Sequence, residues 1–343
     1  MRLHPLRSRL AACLLALVVG CGSSSSSDAG PAEDTGVADG AADSPSTTTT
    51  DVTLLVMPED GEAAIYDPIR NASKSVHCEV YMLTDNGALN ALVAAKKAGK
   101  DVKVLLEHYP YPTTTANDAA FKSLTAAGVD VRWTSSKYAL THSKFFVVDG
   151  VVAYVMTLNL TNAGVGGNRE YAAVVRDADD VAQAEAIFEA DLTGATPPPG
   201  GKLLASPIDA RARLLALIDA ATKTIVIEME EFSDAEVASH LVTRIEAGVA
   251  VRVVAPSSGR STGTSTTLGS LRANRATIKV LATPDLHAKL IVVDGTEVYL
   301  GSVNLTAASL DRNREVGVLT RTGAVVTRAK ATFEADFAKA VPL

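Results

Sequence analysis

The sequence predicts an α/β fold that is built twice. An octapeptide, HSKFFVVD from His142 to Asp149, returns 145 residues later as HAKLIVVD from His287 to Asp294. Each half of the chain also repeats the same order of helix-like and strand-like segments. Strands that alternate with helices are typical of covered sheets. We therefore expect two mixed, largely parallel sheets, one in each half.

The local patterns define the elements of each half. Apolar residues at helical spacing predict helices, and β-prone runs predict strands. The expected order is helix, strand, helix, strand, at 63–73, 76–82, 86–98 and 102–106, and again at 208–221, 224–229, 235–247 and 249–254. The second helix of each half stops at a glycine, Gly99 or Gly248, a residue that suits the backbone just beyond a helix.

Each octapeptide predicts a strand that ends in a hairpin. Asp149 and Asp294 are both followed by glycine, and Asp-Gly is a strong two-residue turn signal. Seven residues of extended chain place Asp149 about 23 Å from His142. We therefore interpret both aspartates as turn-stabilising residues that do not orient the histidines.

Histidine and lysine lie two residues apart in each octapeptide. Alternate residues of a strand share a face, so His142 and Lys144 should project together, as should His287 and Lys289.

Another acid must then hold each ring, and the repeat offers Glu170 and Glu315, each 28 residues beyond the histidine of its own half. A carboxylate on one ring nitrogen fixes the tautomer and activates the other nitrogen. The alternative is that each glutamate pairs with the arginine before it, Arg169 or Arg314.

Hydroxyl and amide side chains follow each hairpin. Thr157 and Asn159 correspond to Ser302 and Asn304, and we expect all four to bind substrate beside the lysines. Such a cationic, donor-rich pocket suits a phosphodiester. We expect no cofactor and no metal ion, because the sequence has no cysteine cluster or H-E-x-x-H motif.

The paired H-x-K-x4-D motifs resemble those of the phospholipase D superfamily. The resemblance covers most of residues 52–343 and implies an α/β/α sandwich with pseudo-two-fold symmetry, one active site and a covalent phosphohistidine intermediate. By analogy with many family members it implies that His142, the N-terminal histidine, is the nucleophile and His287 the general acid and base. The residues of the two halves are too alike for the sequence itself to decide between them. One departure is Met156, which stands where the second copy has Gly301, and it is expected to narrow the first half of the site.

The N-terminus predicts export. Residues 1–21 have three arginines, a short apolar stretch and a Gly-Cys ending, which together resemble a bacterial lipoprotein signal with Cys21 as the lipidated residue. An ordinary signal peptide or an uncleaved anchor is the alternative. Residues 22–51 are small and polar, so we expect a disordered tether that holds an exported protein at the membrane of the cell envelope.

The remaining chain divides into two halves, 52–193 and 202–343. The segment between them, 194–201, contains three consecutive prolines and predicts a stiff linker. Once Cys13 and Cys21 are set aside, Cys78 is the single thiol of the folded part, so no disulfide is expected within it. We expect a monomer.

Charge separates the candidate substrates. The net charge of the chain is −7, and the folded part remains mildly acidic without its leader and tether. A general nucleic-acid binder is expected to be basic, so we expect a phospholipid substrate, hydrolysed or used for phosphatidyl transfer. A nuclease of the same superfamily and a non-catalytic surface-binding lipoprotein are the alternatives. The nuclease would need a basic groove, for which the candidates are Arg252, Arg260, Arg272 and Arg275.

Overall fold

The computed structural model describes residues 51–197 and 200–343. The predicted leader, Cys21 and nearly all of the tether lie outside these residues. The strands are β1 Val52–Met57, β2 Ser75–Val80, β3 Asp101–Leu106, β4 Asp130–Trp133, β5 Lys144–Val148, β6 Val152–Met156, β7 Asn168–Val175, β8 Leu203–Ser206, β9 Thr224–Met229, β10 Ala250–Pro256, β11 Thr277–Leu281, β12 Asp285–Leu286, β13 Lys289–Val293, β14 Glu297–Gly301, β15 Glu315–Thr320 and β16 Val341–Pro342. The helices are α1 Ala63–Arg70, α2 Asn86–Lys97, α3 Asp118–Ala126, α4 Asn162–Gly166, α5 Ala178–Thr193, α6 Ala210–Asp219, α7 Ala235–Glu246, α8 Thr262–Ala273, α9 Ala307–Asp311 and α10 Gly323–Lys339.

The strands form two eight-stranded sheets of like topology. The first has the order β1-β7-β6-β5-β2-β3-β4, with β12 paired to β7. The second has the order β16-β11-β10-β9-β13-β14-β15-β8. The predicted duplicated α/β fold with mixed sheets is therefore present.

Parallel pairing is less extensive than predicted. It joins β2 to β3 and β3 to β4 in the first sheet, and β9 to β10 and β10 to β11 in the second. The chain then enters the hairpins β5–β6 and β13–β14, and a hairpin can only add antiparallel neighbours. Both Asp-Gly turns have positive φ at both residues, as this two-residue turn requires.

Equivalent helices begin and end in the same way in the two halves. The side chain of Asp85 accepts a hydrogen bond from the backbone N–H of Ala88 at the start of α2, and Asp234 does the same for Val237 at the start of α7. Both helices stop before a glycine with φ of 81° or 93°, a conformation that costs other residues more. The repeat thus preserves helix caps as well as charged residues.

The core has three parts. One apolar cluster lies beneath α1, α2 and α3 on the first sheet, and another lies beneath α6, α7 and α8 on the second. The third cluster joins residues of both sheets with one face of α5 and of α10, including Phe188 and Phe333. The two halves therefore share one buried interface. Within the described residues, no helix is long and apolar enough to span a bilayer.

The chain crosses between the halves at this interface. Strand β12 of the second half runs parallel to β7 of the first, with Asp285 opposite Asn168. In the first half, Thr141 makes the corresponding bridge to Arg314. Each octapeptide therefore begins beside a strand of the other half.

Candidate active site

Each of the two histidines directly follows the segment that pairs with a strand of the opposite half. The backbone N–H of His142 donates to the carbonyl of Arg314 at 2.8 Å, and that of His287 donates to the carbonyl of Arg169 at 3.3 Å. Backbone hydrogen bonds of this kind fix the start of each side chain. Both rings therefore face the junction between the halves.

Each histidine contacts the glutamate of the opposite half. Nδ1 of His142 lies 3.0 Å from Oε2 of Glu315, and Nδ1 of His287 lies 2.7 Å from Oε1 of Glu170. The sequence identified the four residues, but it paired each histidine with the glutamate 28 residues downstream. That pairing is wrong, because the crossing strands bring the start of β15 to His142 and the start of β7 to His287.

Burial and charge set the protonation of the first pair. Burial would raise the pKa of Glu315, but the contact with His142 and the neighbouring Lys144 outweigh it and lower that pKa below its usual range. Burial lowers the pKa of His142, against the attraction of Glu315. His142 is therefore held as a neutral ring at neutral pH, with its Nε2 available as a base or nucleophile.

The two lysines are fully buried beside the histidines. Lys144 donates to the carbonyl of His142, and Lys289 donates to the carbonyl of His287 at 2.7 Å. Burial lowers the pKa of Lys144 to about 7, although Glu315 opposes the shift. An anion bound beside Lys144 would restore its charge.

One open cavity of about 600 Å³ is lined by residues of both halves. Both histidines line it, as do both predicted asparagines. Its other polar lining residues include Glu170, Glu230, Glu231, Thr161, Thr306 and Asn313. The sequence prediction of one site made from two halves thus has a matching cavity.

Thr157 and Ser302 lie behind the cavity wall, contrary to the prediction that they contact substrate. Both are fully buried. Thr157 donates to Glu170 at 2.6 Å and accepts from the N–H of Tyr171, whereas Ser302 bonds the backbone of Val316 in both directions. The chain leaves its strand immediately before each hydroxyl residue, so the expected two-residue alternation stops there.

Met156 does not narrow the site. It is fully buried in the outer core of the first half. In the second half a side chain at Gly301 would collide with the backbone of Gly317, which faces it on β15, whereas Met156 faces Ala172 on β7. The replacement of glycine by Met156 therefore changes how neighbouring strands of the sheet pack, and it does not change the cavity.

Asp149 and Asp294 lie at the hairpins, away from the cavity. Asp149 accepts hydrogen bonds from the backbone of Ser73, Lys74 and Ser75, at 2.6 to 2.9 Å. These bonds lower its pKa to about 2, against the opposing effect of burial. Asp294 makes the same contacts with residues 222–224. Both aspartates therefore tie a hairpin to the start of the neighbouring strand.

The arginines beside the two glutamates have other partners. Arg169 forms an ion pair with Asp336 on α10, and Arg314 forms one with Asp191 on α5. Both pairs cross the interface between the halves and are buried. The alternative pairing of glutamate with neighbouring arginine is thereby excluded. The aspartates also match at the offset of 145, a signal that sequence reasoning overlooked.

Glu230 is the site residue that sequence reasoning missed. It follows β9, and its Oε2 lies 2.5 Å from Nζ of Lys289 and 3.3 Å from Nε2 of His287. The offset of 149 that aligns Glu79 with Glu228 also aligns Tyr81 with Glu230. The repeat matches at Glu79 and Glu228 but differs at Tyr81 and Glu230, and this difference could have identified Glu230 from the sequence. Within residues 51–197 and 200–343, no group of three or more His, Cys, Asp or Glu residues is arranged to hold a metal ion.

Two like sheets around one junction, with paired histidines and lysines, define the phospholipase D superfamily. The family model described as "Cardiolipin synthase, PLD-like domain" matches residues 65–192 and 214–337, which together exceed half of the chain. The chain therefore belongs to this family of phospholipase D-like proteins.

Curated relatives and solved structures agree with that assignment. A cardiolipin synthase of Oceanobacillus iheyensis is 23% identical over 82% of this chain and 67% of its own length. Cardiolipin synthase A of Pseudomonas fluorescens is 27% identical over 84% of this chain and 69% of its own length. The chain thus spans about two thirds of these relatives.

Two solved structures share the fold. Phosphatidylserine synthase of Haemophilus influenzae has a TM-score of 0.65 at 14% identity, over 85% of this chain and 87% of its own. Polyphosphate kinase of Porphyromonas gingivalis has a TM-score of 0.69 at 15% identity, over 86% of this chain and 49% of its own. At these identities the likeness concerns the fold alone.

Proposed function

We propose that the protein is a phospholipase D-type enzyme that breaks the phosphodiester bond of a phospholipid and transfers the phosphatidyl group to an alcohol or to water. The observation that carries this proposal is the pair of crossed contacts, in which each of two histidines facing one cavity has a buried glutamate at Nδ1. Two such rings can divide nucleophilic attack and proton transfer between them.

In the first step of the proposed reaction, Nε2 of one histidine attacks phosphorus. A P–N bond forms, the P–O bond to the leaving alcohol breaks, and the other histidine gives its proton to the departing oxygen. Glu315 accepts a hydrogen bond from Nδ1 of His142, and the carboxylate of Glu170 lies 2.7 Å from Nδ1 of His287, so each can stabilise its ring when that ring becomes positive. The lysines and asparagines offset the charge that develops on the phosphoryl oxygens.

In the second step, the histidine that lost its proton takes one from the incoming hydroxyl. The oxygen of that alcohol or water attacks phosphorus, and the P–N bond breaks. An alcohol acceptor gives phosphatidyl transfer, and water gives hydrolysis. Both outcomes therefore use the same protein groups.

The named relatives support a phospholipid substrate. Those with the broadest matches are called cardiolipin synthases, and we extend to this chain the phosphatidyl transfer that such a name implies. The four arginines considered for a nuclease groove are not among the residues that line the cavity. Arg252, for example, pairs with Glu334 and stacks on Phe333 and Phe337. Export, lipidation at Cys21 and location at the cell envelope remain part of the proposal.

The test uses the full-length protein in mixed micelles. Phosphatidylglycerol, phosphatidylcholine, cardiolipin and single-stranded DNA are offered separately, with a chelator present and with and without glycerol as acceptor. We expect lipid turnover, and a new glycerol ester when glycerol is present. His142→Ala and His287→Ala should each lower lipid turnover by about 10³-fold or more, because each removes a group that no neighbour replaces.

His240→Ala is the matched control, because His240 lies on α7 and contacts Asp219 outside the cavity. It should turn over lipid as the wild type does. Turnover of DNA but not of lipid would contradict the proposal. Full lipid activity in either cavity variant would exclude a single site with two histidines.

A further inference from the structure

The two halves of the site differ at one pair of equivalent positions. Tyr81 follows β2 in the first half, and Glu230 follows β9 in the second. Both residues line the cavity next to the histidine and lysine of their own half. A neutral aromatic ring on one side is thus matched by a carboxylate on the other.

In the first half, Tyr81 places no carboxylate against Lys144 or Asn159, the groups proposed to bind the anion. The centre of its ring lies 4.7 Å from the centre of the His142 ring and 5.0 Å from Nζ of Lys144. Its hydroxyl is engaged by the N–H of Tyr111 at 2.6 Å. Among the described residues, Oδ1 of Asn159 has no hydrogen-bond partner. No carboxylate contacts the Nζ of Lys144 among these residues.

In the second half, Glu230 occupies the corresponding position. One oxygen, Oε2, lies 2.5 Å from Nζ of Lys289, 3.3 Å from Nε2 of His287 and 3.4 Å from Nδ2 of Asn304. The sequence analysis assigned Lys289 and Asn304 to the phosphodiester and made His287 the general acid and base. The charges of His287 and Lys289 lower the pKa of Glu230 far below its usual range, although burial opposes the shift.

His287 therefore has a carboxylate at each ring nitrogen, Glu170 at Nδ1 and Glu230 at Nε2. Nζ of Lys289 lies 3.2 Å from Nδ1 of the same ring. His142 has one carboxylate, Glu315, and its Nε2 has no carboxylate partner among the described residues. The surroundings of two rings that the repeat makes alike thus differ by one carboxylate.

We propose that Glu230 is a positioning residue that makes the two halves inequivalent. It holds His287 as the proton donor, so that the phosphoryl group binds beside Lys144 and is attacked by His142. The inference rests on the proposed phosphodiesterase function. In the first step, Nε2 of His142 bonds to phosphorus, while the Nε2 proton of His287 passes to the leaving oxygen as the P–O bond breaks. Glu230 remains paired with Lys289 and acts on the reaction through the ring of His287, whose Nε2 lies 3.3 Å from its Oε2.

The test compares two leaving groups in the full-length protein. Phosphatidylglycerol releases an alkoxide that needs a proton, whereas bis(p-nitrophenyl) phosphate releases a stable phenolate that does not. General acids contribute about 10²–10⁴-fold, so Glu230→Gln should slow lipid turnover by about 10- to 100-fold. The first-turnover burst of p-nitrophenolate should change by less than about threefold.

The pH profile separates this role from a structural one. The charged and titratable groups around His287 are Glu170 on β7, Glu230 and Glu231 after β9, Lys289 on β13, and His142 and Lys144 across the cavity. Loss of the Glu230 charge should move the alkaline limb of lipid kcat/KM to lower pH. Glu231→Gln is the matched control, since it removes the same charge one residue away. The alkaline limb of its lipid kcat/KM should move less than that of Glu230→Gln.

The assignment of the histidines is read from the covalent intermediate. With bis(p-nitrophenyl) phosphate, His287→Ala should release one equivalent of p-nitrophenolate and retain the p-nitrophenyl phosphoryl group on His142, detected by peptide mass spectrometry. His142→Ala should give neither. The opposite pattern would overturn the inference, as would equal losses on both substrates in Glu230→Gln without a shifted limb. A wild type that cleaves the aryl diester but no lipid would contradict only the proposed lipid function.

Discussion

Lys144 is the residue whose burial and proposed role are most closely linked. A buried ammonium with a pKa of about 7 is only partly charged at neutral pH. Lysine in water titrates near 10.4. Substrate binding beside Lys144 should therefore be accompanied by uptake of a proton.

That linkage predicts the pH dependence of anion binding. Tungstate, which stays fully charged in this range, should bind more weakly as the pH rises above 7, approaching about tenfold per pH unit for one linked proton. Isothermal titration calorimetry at pH 6, 7, 8 and 9 measures it. In Lys144→Arg, a side chain that stays charged should reduce this dependence. Equal wild-type affinity at all four values would contradict the prediction.

Residue types and spacing allowed most of the site to be predicted. His142, Lys144, Asn159 and their equivalents all occur at or beside the cavity, because the chemistry of each side chain is local. Glu230 was missed because its meaning depends on what lies opposite it. From the sequence alone, a glutamate at the end of a strand is interpreted as a solvated surface charge. The structure places Glu230 beside Lys289 instead.

At the scale of elements, the hairpins show what a short pattern can determine. Asp149 and Gly150 take the positive φ values that the Asp-Gly signal predicts. The contacts of Asp149 with the loop before β2 were not predicted, because they join residues 74 to 76 positions apart. The backbone geometry of the turn could therefore be predicted from the sequence, whereas the residues that contact Asp149 could not.

Asp149→Ala should destabilise the fold without altering the chemistry of the site. It removes charge-assisted hydrogen bonds to three backbone N–H groups and places alanine at a φ of 58°. We expect a loss of about 2–3 kcal/mol in the free energy of unfolding, measured in urea. Asp294→Ala should behave alike. Lipid kcat at 25 °C, corrected for folded protein, should be retained, and its loss would mean that Asp149 acts on the site.

At the scale of the whole molecule, buried acids hold the interface between the halves. The carboxyl of Glu228 accepts a hydrogen bond from Tyr171 at 2.6 Å and lies near the pair formed by Asp336 and Arg169. Burial, with the charge of Asp336, raises the pKa of Glu228 to about 8. The folded protein therefore keeps this carboxyl protonated at neutral pH.

This shift predicts that stability falls as pH rises. The folded state binds the Glu228 proton more tightly than the unfolded state, so its contribution is complete below about pH 4.5 and is lost as the pH rises through 8. Urea unfolding at pH 5, 7 and 9 should show the decline, with a slope that is smaller in Glu228→Gln by up to about 1.4 kcal/mol per pH unit. Exposed Glu246→Gln is the control and should keep the wild-type slope. An unchanged slope in Glu228→Gln would exclude this source.

The sequence by itself determined the duplication, the α/β class, the hairpins and the set of histidines, lysines, asparagines and glutamates, since each depends on residue type and short spacing. Only the tertiary structure decided which glutamate holds which histidine, because the segment that leads into each histidine lies beside the strand of the opposite half that carries the glutamate. It also placed Thr157 behind the wall and Glu230 against Lys289. The two contacts between histidine and glutamate join residues more than 100 positions apart, and no local pattern encodes such a contact.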